Sequence, residues 1–160
     1  MNDTSTSKDR EELHELLAKI EKELDYVISA IEKDPHLIPH WLNWSKSMIR
    51  DDWTKARPAF VQAKESLASV KDEELSNHGL IGTPLKSKIR FLETVTKRVR
   101  WQLSRIHYPA RPILRKTLAW LLKVQDNLLD SMASVLPPLG VVTELKKQLE
   151  SALTFPDVME

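Results

Sequence analysis

The sequence predicts an all-α fold, an antiparallel helical bundle of five to six helices, from three observations. Apolar residues recur at three- and four-residue spacing along most of the chain, the pattern of amphipathic helices. Only three of the 160 residues are glycine, too few for the turns of a sheet-rich fold. The chain is 41% hydrophobic and 29% charged, as in ordinary globular domains. Its length fits one domain, so we expect a single bundle over 1–160 with frayed tails at 1–6 and 155–160.

The clearest predicted helix covers residues 7–33. Thr6 and Ser7 are available to cap its start. Pro35 and Pro39 end it, because proline lacks an amide donor and disfavours helical backbone in the residue before it. The apolar stripe of this helix consists of Leu13, Leu16, Leu17, Ile20, Leu24, Val27, Ile28 and Ile31.

In the middle of the chain, the residue pattern predicts two further helices and then a loop. One helix runs from Pro39 to about Asp51, since proline is favoured in a first helical turn. The next follows from Trp53, and Pro58 either begins its regular part or kinks it. Residues 76–84, SNHGLIGTP, combine two glycines with polar helix breakers, so we expect the longest loop there.

The second half predicts helices over 85–107, 113–136 and 141–153, separated by the proline-containing stretches HYPARP and LPPLG. The helix over 113–136 is apolar on more than one side, and Trp120 widens its apolar face. We therefore expect it to be the central helix of the bundle. Its main stripe consists of Leu114, Leu118, Leu121, Leu128, Met132 and Val135.

Charge is unevenly distributed, although the formal net charge is only +1. Residues 1–34 contain five Lys and Arg against ten Asp and Glu, whereas residues 85–116 contain ten against the single acid Glu93. The net charge is therefore near zero because an acidic first helix offsets a basic helix later in the chain. Residues 85–107 are called the basic segment below.

The cations of the basic segment fall mainly in one sector of the predicted helix. At about 100° per residue, this sector lies opposite the apolar side chains, so the cations face outward. A row of cations about one turn apart, interrupted by an indole, suits a phosphate backbone with a base stacked on the ring. The candidate nucleic-acid-binding residues are Lys86, Arg90, Lys97, Arg98, Trp101 and Arg105.

Two kinds of binding function are open at this point. A basic helical face also pairs with an acidic helix of the same molecule or of a second copy. Our first expectation is therefore a non-enzymatic helical adaptor or small subunit that binds a protein partner or associates with itself. The alternative is a small subunit of a ribonucleoprotein complex that binds single-stranded RNA or DNA through the basic segment.

Arg100 and His107 in the stretch RWQLSRIH suggest a third function. Both residues lie near one side of the predicted helix. Their spacing resembles the Arg-x(4 to 6)-His motif of the HEPN ribonucleases, all-helical domains in which paired Arg and His of a dimer cleave RNA. The resemblance covers eight residues. It implies metal-independent RNA cleavage, in which Arg100 would stabilise charge on the phosphate and His107 would act as acid or base. No other catalytic residue is predicted.

Other chemistry lacks the residues that it needs. The absence of cysteine excludes disulfides and thiolate metal sites. His36 and His40 have the spacing of two ligands on one helical face, but Pro39 interrupts that helix, and we expect no metal site. We expect no cofactor and no small-molecule ligand, because no phosphate-cradling or nucleophile turn occurs. With no signal peptide and no spanning apolar run, we expect a cytoplasmic protein without membrane contact.

Overall fold

A computed structural model describes residues 2–33, 37–38, 46–80 and 111–154, and within the basic segment residues 87, 90, 91, 93, 94, 97, 98 and 101. The described residues form an all-α bundle, as predicted, and contain no strand. The separate residues of the basic segment are all helical. The helices that are described from end to end are α1 (Asn2–Lys33), α2 (Lys46–Leu67), α3 (Asp72–Asn77), α4 (Arg111–Ala133) and α5 (Leu139–Thr154).

The first helix, α1, begins at Asn2 and is longer than predicted. Thr6 and Ser7 lie inside it, so the prediction that they cap its start is wrong. The predicted apolar stripe from Leu13 to Ile31 is confirmed, since all eight members are buried. They form the α1 side of a single hydrophobic core.

The second helix, α2, is continuous from Lys46 to Leu67, so the prediction of a helix boundary between Asp51 and Trp53 is wrong. Pro58 lies inside α2 and is exposed, which lets its ring point away from the core. Packing outweighs the hydrogen bond that proline removes, because Trp53 and Phe60 are buried on the two sides of this position. Residues 39–45 lie outside the described part of the chain.

The short helix α3 ends in a glycine turn. Gly79 has a φ of +67°, a left-handed conformation that favours glycine, and the amide of Leu80 donates to the Leu75 carbonyl at 2.9 Å. Leu75 and Leu80 are both buried. The start of the predicted loop at 76–84 is therefore the end of a helix and an exposed turn that leads to the buried Leu80. Residues 81–84 lie outside the described residues.

The last two helices, α4 and α5, form a hairpin that also packs against α2. Five residues of the predicted α4 stripe are buried and Val135 is partly buried after the helix end. Trp120 was expected in the core, but 45% of its surface is exposed, so that expectation is wrong. In the part of the chain that the structure describes, no helix is long and apolar enough to cross a membrane.

Candidate nucleic-acid interface

Four of the predicted nucleic-acid-binding residues are described, and all four are exposed: Arg90, Lys97, Arg98 and Trp101. Trp101 is 58% exposed, which is unusual for so large an apolar side chain. Phe91 on the same helix is 50% exposed. The helical surface therefore combines cations with two accessible aromatic rings.

On an ideal helix these side chains share one side. At about 100° per residue, Phe91, Arg98 and Trp101 lie within about 80° of one another. Arg90 and Lys97 extend the same sector to about 120°. Exposure of all five agrees with this geometry, since a helix that packs on one side presents the other to solvent.

An aromatic pair joins the basic segment to α4. The rings of Phe91 and Trp120 meet edge to face, with centroids 5.5 Å apart and ring planes at 85°. This is a favoured arrangement because the positive edge of one ring meets the negative face of the other. Both rings remain about half exposed, so the pair forms part of the molecular surface.

The outer side of α4 adds further cations beside this pair. Lys116 precedes Trp120 by four residues and Lys123 follows it by three, spacings that place all three on one side of a helix. Both lysines are exposed. Together the two helices present a surface that we call the basic-aromatic face: Arg90, Phe91, Lys97, Arg98, Trp101, Lys116, Trp120 and Lys123.

Three carboxylates of the acidic first helix bond cations of α2. Arg57 on α2 bonds Asp25 at 2.6 Å and Glu21 at 3.3 Å, and Lys64 bonds Glu21 at 3.1 Å. Arg50 bonds Glu32 at 3.0 Å, and this hydrogen bond raises the pKa of Arg50 above its usual range. These four ion pairs therefore hold α1 and α2 in their antiparallel arrangement.

In the ion pair between α1 and the basic segment, α1 supplies the cation and the basic segment supplies the acid. Lys19 of α1 bonds Glu93, which is the single acid between residues 85 and 116. By contrast, none of the five cations of the basic-aromatic face makes an ion pair within the described part of the chain. The single carboxylate of the basic segment is therefore already engaged by Lys19.

Not all of the positive charge between residues 85 and 116 lies at the surface. Arg115 is 4% exposed, and its Nε donates to the Leu37 carbonyl at 2.9 Å. This bond ties the start of α4 to the short described segment 37–38. Arg115 therefore has a structural role, and Lys116 next to it belongs to the outer surface.

Several sequence-predicted residues lie outside the described part of the chain. They include Lys86 and Arg105 of the basic row, and the Arg100 and His107 pair that resembles the HEPN motif. His36 and His40 are outside it as well. Among the described residues, no group of three or more His, Asp or Glu side chains is placed to hold a metal ion.

Sequence reasoning missed the contribution of α4 to this surface. Phe91, Lys116, Trp120 and Lys123 were not predicted as site residues, because Trp120 was assigned to the core. The signal was present, since an indole between two lysines at helical spacing is typical of a solvent-facing side.

Comparison with known proteins adds no functional information. No family model, no curated protein and no solved structure matches this chain. Its function is therefore inferred from the chemistry of the basic-aromatic face.

Proposed function

We propose that this chain is a small non-enzymatic subunit that binds single-stranded RNA or DNA through the basic-aromatic face. One observation carries the proposal: the exposed Phe91–Trp120 pair lies on two helices whose exposed cations have no acidic partner in the described structure. A pairing of the basic segment with the acidic α1 was the competing use for these cations. Three acids of α1, Glu21, Asp25 and Glu32, are instead engaged by cations of α2.

The chemistry of the face fits a single strand better than a duplex. Lysine and arginine neutralise backbone phosphates and release their counterions. Exposed aromatic rings stack on bases, and bases are accessible for stacking when the strand is unpaired. Cations beside aromatic rings are therefore the combination that single-strand-binding surfaces use.

The test is a fluorescence-anisotropy titration of labelled single-stranded RNA and DNA oligonucleotides. The variant Arg90→Glu/Lys97→Glu/Arg98→Glu reverses three exposed cations of the face, and we expect it to bind about 100-fold more weakly than the wild type. A matched control is Lys8→Glu/Lys22→Glu/Lys55→Glu, which changes the net charge equally at exposed positions of α1 and α2. Equal losses in both variants would mean that only net charge matters and would contradict a specific face.

A second candidate function, the helical adaptor, is supported by a groove between α1 and α2. It has a volume of about 450 Å³ and is lined by Trp53, Pro58 and Val61 together with polar residues. Val61 is 47% exposed. An apolar side chain from a protein partner would bury this surface, as anchor residues do in helix-in-groove complexes.

Affinity purification from the native cell, with and without nuclease treatment, separates the two functions. Under the nucleic-acid proposal, partners are lost on nuclease treatment and on reversal of Arg90, Lys97 and Arg98. Under the adaptor function, a protein partner survives nuclease and is lost in Val61→Glu. A strict monomer in light scattering with no captured partner would contradict the adaptor function.

A further inference from the structure

The interface between α4 and α5 contains charged and polar side chains in its interior. Lys146 on α5 is 0% exposed, although lysine is almost never fully buried without a partner. On α4, Gln125 is 1% exposed and Asp126 is 6% exposed. These residues belong neither to the basic-aromatic face nor to the groove between α1 and α2.

Each of the three side chains has a buried atom without a hydrogen-bond partner in the described structure. The atoms are Nζ of Lys146, Oδ1 of Asp126 and Nε2 of Gln125. A buried polar group without a partner costs roughly 1–3 kcal/mol, and native proteins satisfy nearly all such groups with protein atoms or ordered water. The interior of this hairpin therefore requires partners that the side chains alone do not supply.

Lys146 and Asp126 lie close enough to act on each other electrostatically, yet they form no direct hydrogen bond. Burial lowers the pKa of Lys146 well below its usual range, and the charge of Asp126 is the largest effect that opposes this. Burial likewise raises the pKa of Asp126. Nζ of Lys146 and Oδ1 of Asp126 are therefore both buried in the described structure without bonding each other or any other group.

We propose that Lys146 and Asp126 enclose an internal hydration site, in which an ordered water molecule bridges Nζ of Lys146 and Oδ1 of Asp126 between α4 and α5. Water is both donor and acceptor, so one molecule satisfies both atoms. Buried waters in proteins typically make about three hydrogen bonds to groups of this kind. The Nε2 atom of Gln125, adjacent to Asp126 in sequence, is a further buried donor without a partner in the described structure.

Water fits this chemistry better than an ion does. A cation would meet the amino group of Lys146 and a single carboxylate, whereas Mg²⁺ and Ca²⁺ sites use several oxygen ligands. An anion would meet the carboxylate of Asp126. A neutral molecule with both donors and acceptors is therefore the ligand class that this site accepts.

A crystal structure of the whole chain, at a resolution that places water oxygens, tests the proposal directly. We expect one water oxygen within hydrogen-bonding distance of both Nζ of Lys146 and Oδ1 of Asp126. Direct contact of Nζ with the Asp126 carboxylate, or an empty gap between them, would overturn it.

The solution test is NMR detection of water close to lysine side chains in a lysine-labelled sample. We expect a long-lived water cross-peak at Lys146, its loss in Lys146→Met, and none at exposed Lys147, the adjacent residue on α5. The wild-type spectrum is sufficient if the variant does not fold. A wild type with no long-lived water at Lys146 would contradict the hydration site.

Discussion

The indole N–H of Trp53 on α2 donates to Oδ1 of Asp25 on α1 at 2.5 Å. Arg57 bonds the other oxygen of the same carboxylate at 2.6 Å, and its guanidinium carbon lies 5.9 Å from the centre of the indole ring. Trp53 is only 6% exposed, so its N–H depends on this carboxylate. Asp25 therefore links the middle of α1 to α2 through two donors.

Asp25→Ala should destabilise the fold. The substitution leaves the buried indole N–H of Trp53 without an acceptor, which costs about 1–3 kcal/mol. Chemical denaturation followed by circular dichroism measures this loss. Asp51→Ala removes an exposed carboxylate on α2 and should change the unfolding free energy by less than about 0.5 kcal/mol. Equal effects of the two variants would show that the Trp53–Asp25 bond adds nothing to stability.

Replacing the buried charges by apolar residues should stabilise the hairpin of α4 and α5. The double variant Lys146→Met/Asp126→Leu removes two desolvated groups together, and such replacements are neutral to about 1–4 kcal/mol stabilising. The matched control is Lys147→Met/Asp130→Leu, an exposed pair 3.8 Å apart on the same two helices. The control should change the unfolding free energy by less than about 1 kcal/mol. A large destabilisation of the buried double variant alone would contradict this prediction.

Lys146 should make stability depend on pH below the ordinary lysine pKa of 10.5. Its pKa is lowered in the folded state, so the unfolded chain binds more protons between that lowered value and the ordinary 10.5. The wild type therefore gains stability, relative to Lys146→Met, as the pH rises through this window, by at most about 1.4 kcal/mol per pH unit.

Asp126 acts in the acid range with the opposite slope. Its raised pKa means that the folded state binds more protons above the ordinary value of 3.8, so its contribution to stability falls as the pH rises there. Asp130 on α4 and Lys147 and Glu150 on α5 are the other charges that act on this pair. Denaturation of wild type and Lys146→Met across pH checks the effect of Lys146, and a constant difference between them would refute it.

Loss of either aromatic ring should lower the affinity for single-stranded nucleic acid at both low and high salt concentration. Phe91→Ala or Trp120→Ala removes a stacking surface, which costs about 1–3 kcal/mol per stacked base. The loss should persist at high salt, because stacking neutralises no phosphate. Val61→Ala truncates an exposed apolar residue away from the face and serves as the control. Unchanged affinity in both aromatic variants would show that neither ring stacks on a base.

Helical periodicity was sufficient to predict the fold class and most of the core. The stripe of α1 was predicted residue by residue, because leucine and isoleucine at this spacing have no alternative to burial on one side. Periodicity did not exclude a helix boundary before Trp53. Whether a proline breaks a helix depends on how the helix packs in the fold, which the pattern of that helix alone does not give.

The same reasoning did not identify the residues whose polarity and position disagree. Nothing was predicted for Lys146, although it lies four residues after Val142 and three before Leu149, both buried. Trp120 was assigned to the core because it is apolar, although Lys116 and Lys123 share its side of α4. The contacts between helices decide whether such residues are buried, and they cannot be read from one helix.

The salt dependence of single-stranded RNA binding tests the central claim most directly. If all five cations of the basic-aromatic face contact phosphates, the logarithm of the association constant should fall against the logarithm of salt concentration with a slope of about −3.5. In Arg90→Glu/Lys97→Glu/Arg98→Glu the slope should become shallower by about 2, while the control with Lys8, Lys22 and Lys55 reversed keeps the wild-type slope. No binding by the wild type at low salt, or the same slope in all three proteins, would contradict a nucleic-acid-binding surface at these residues.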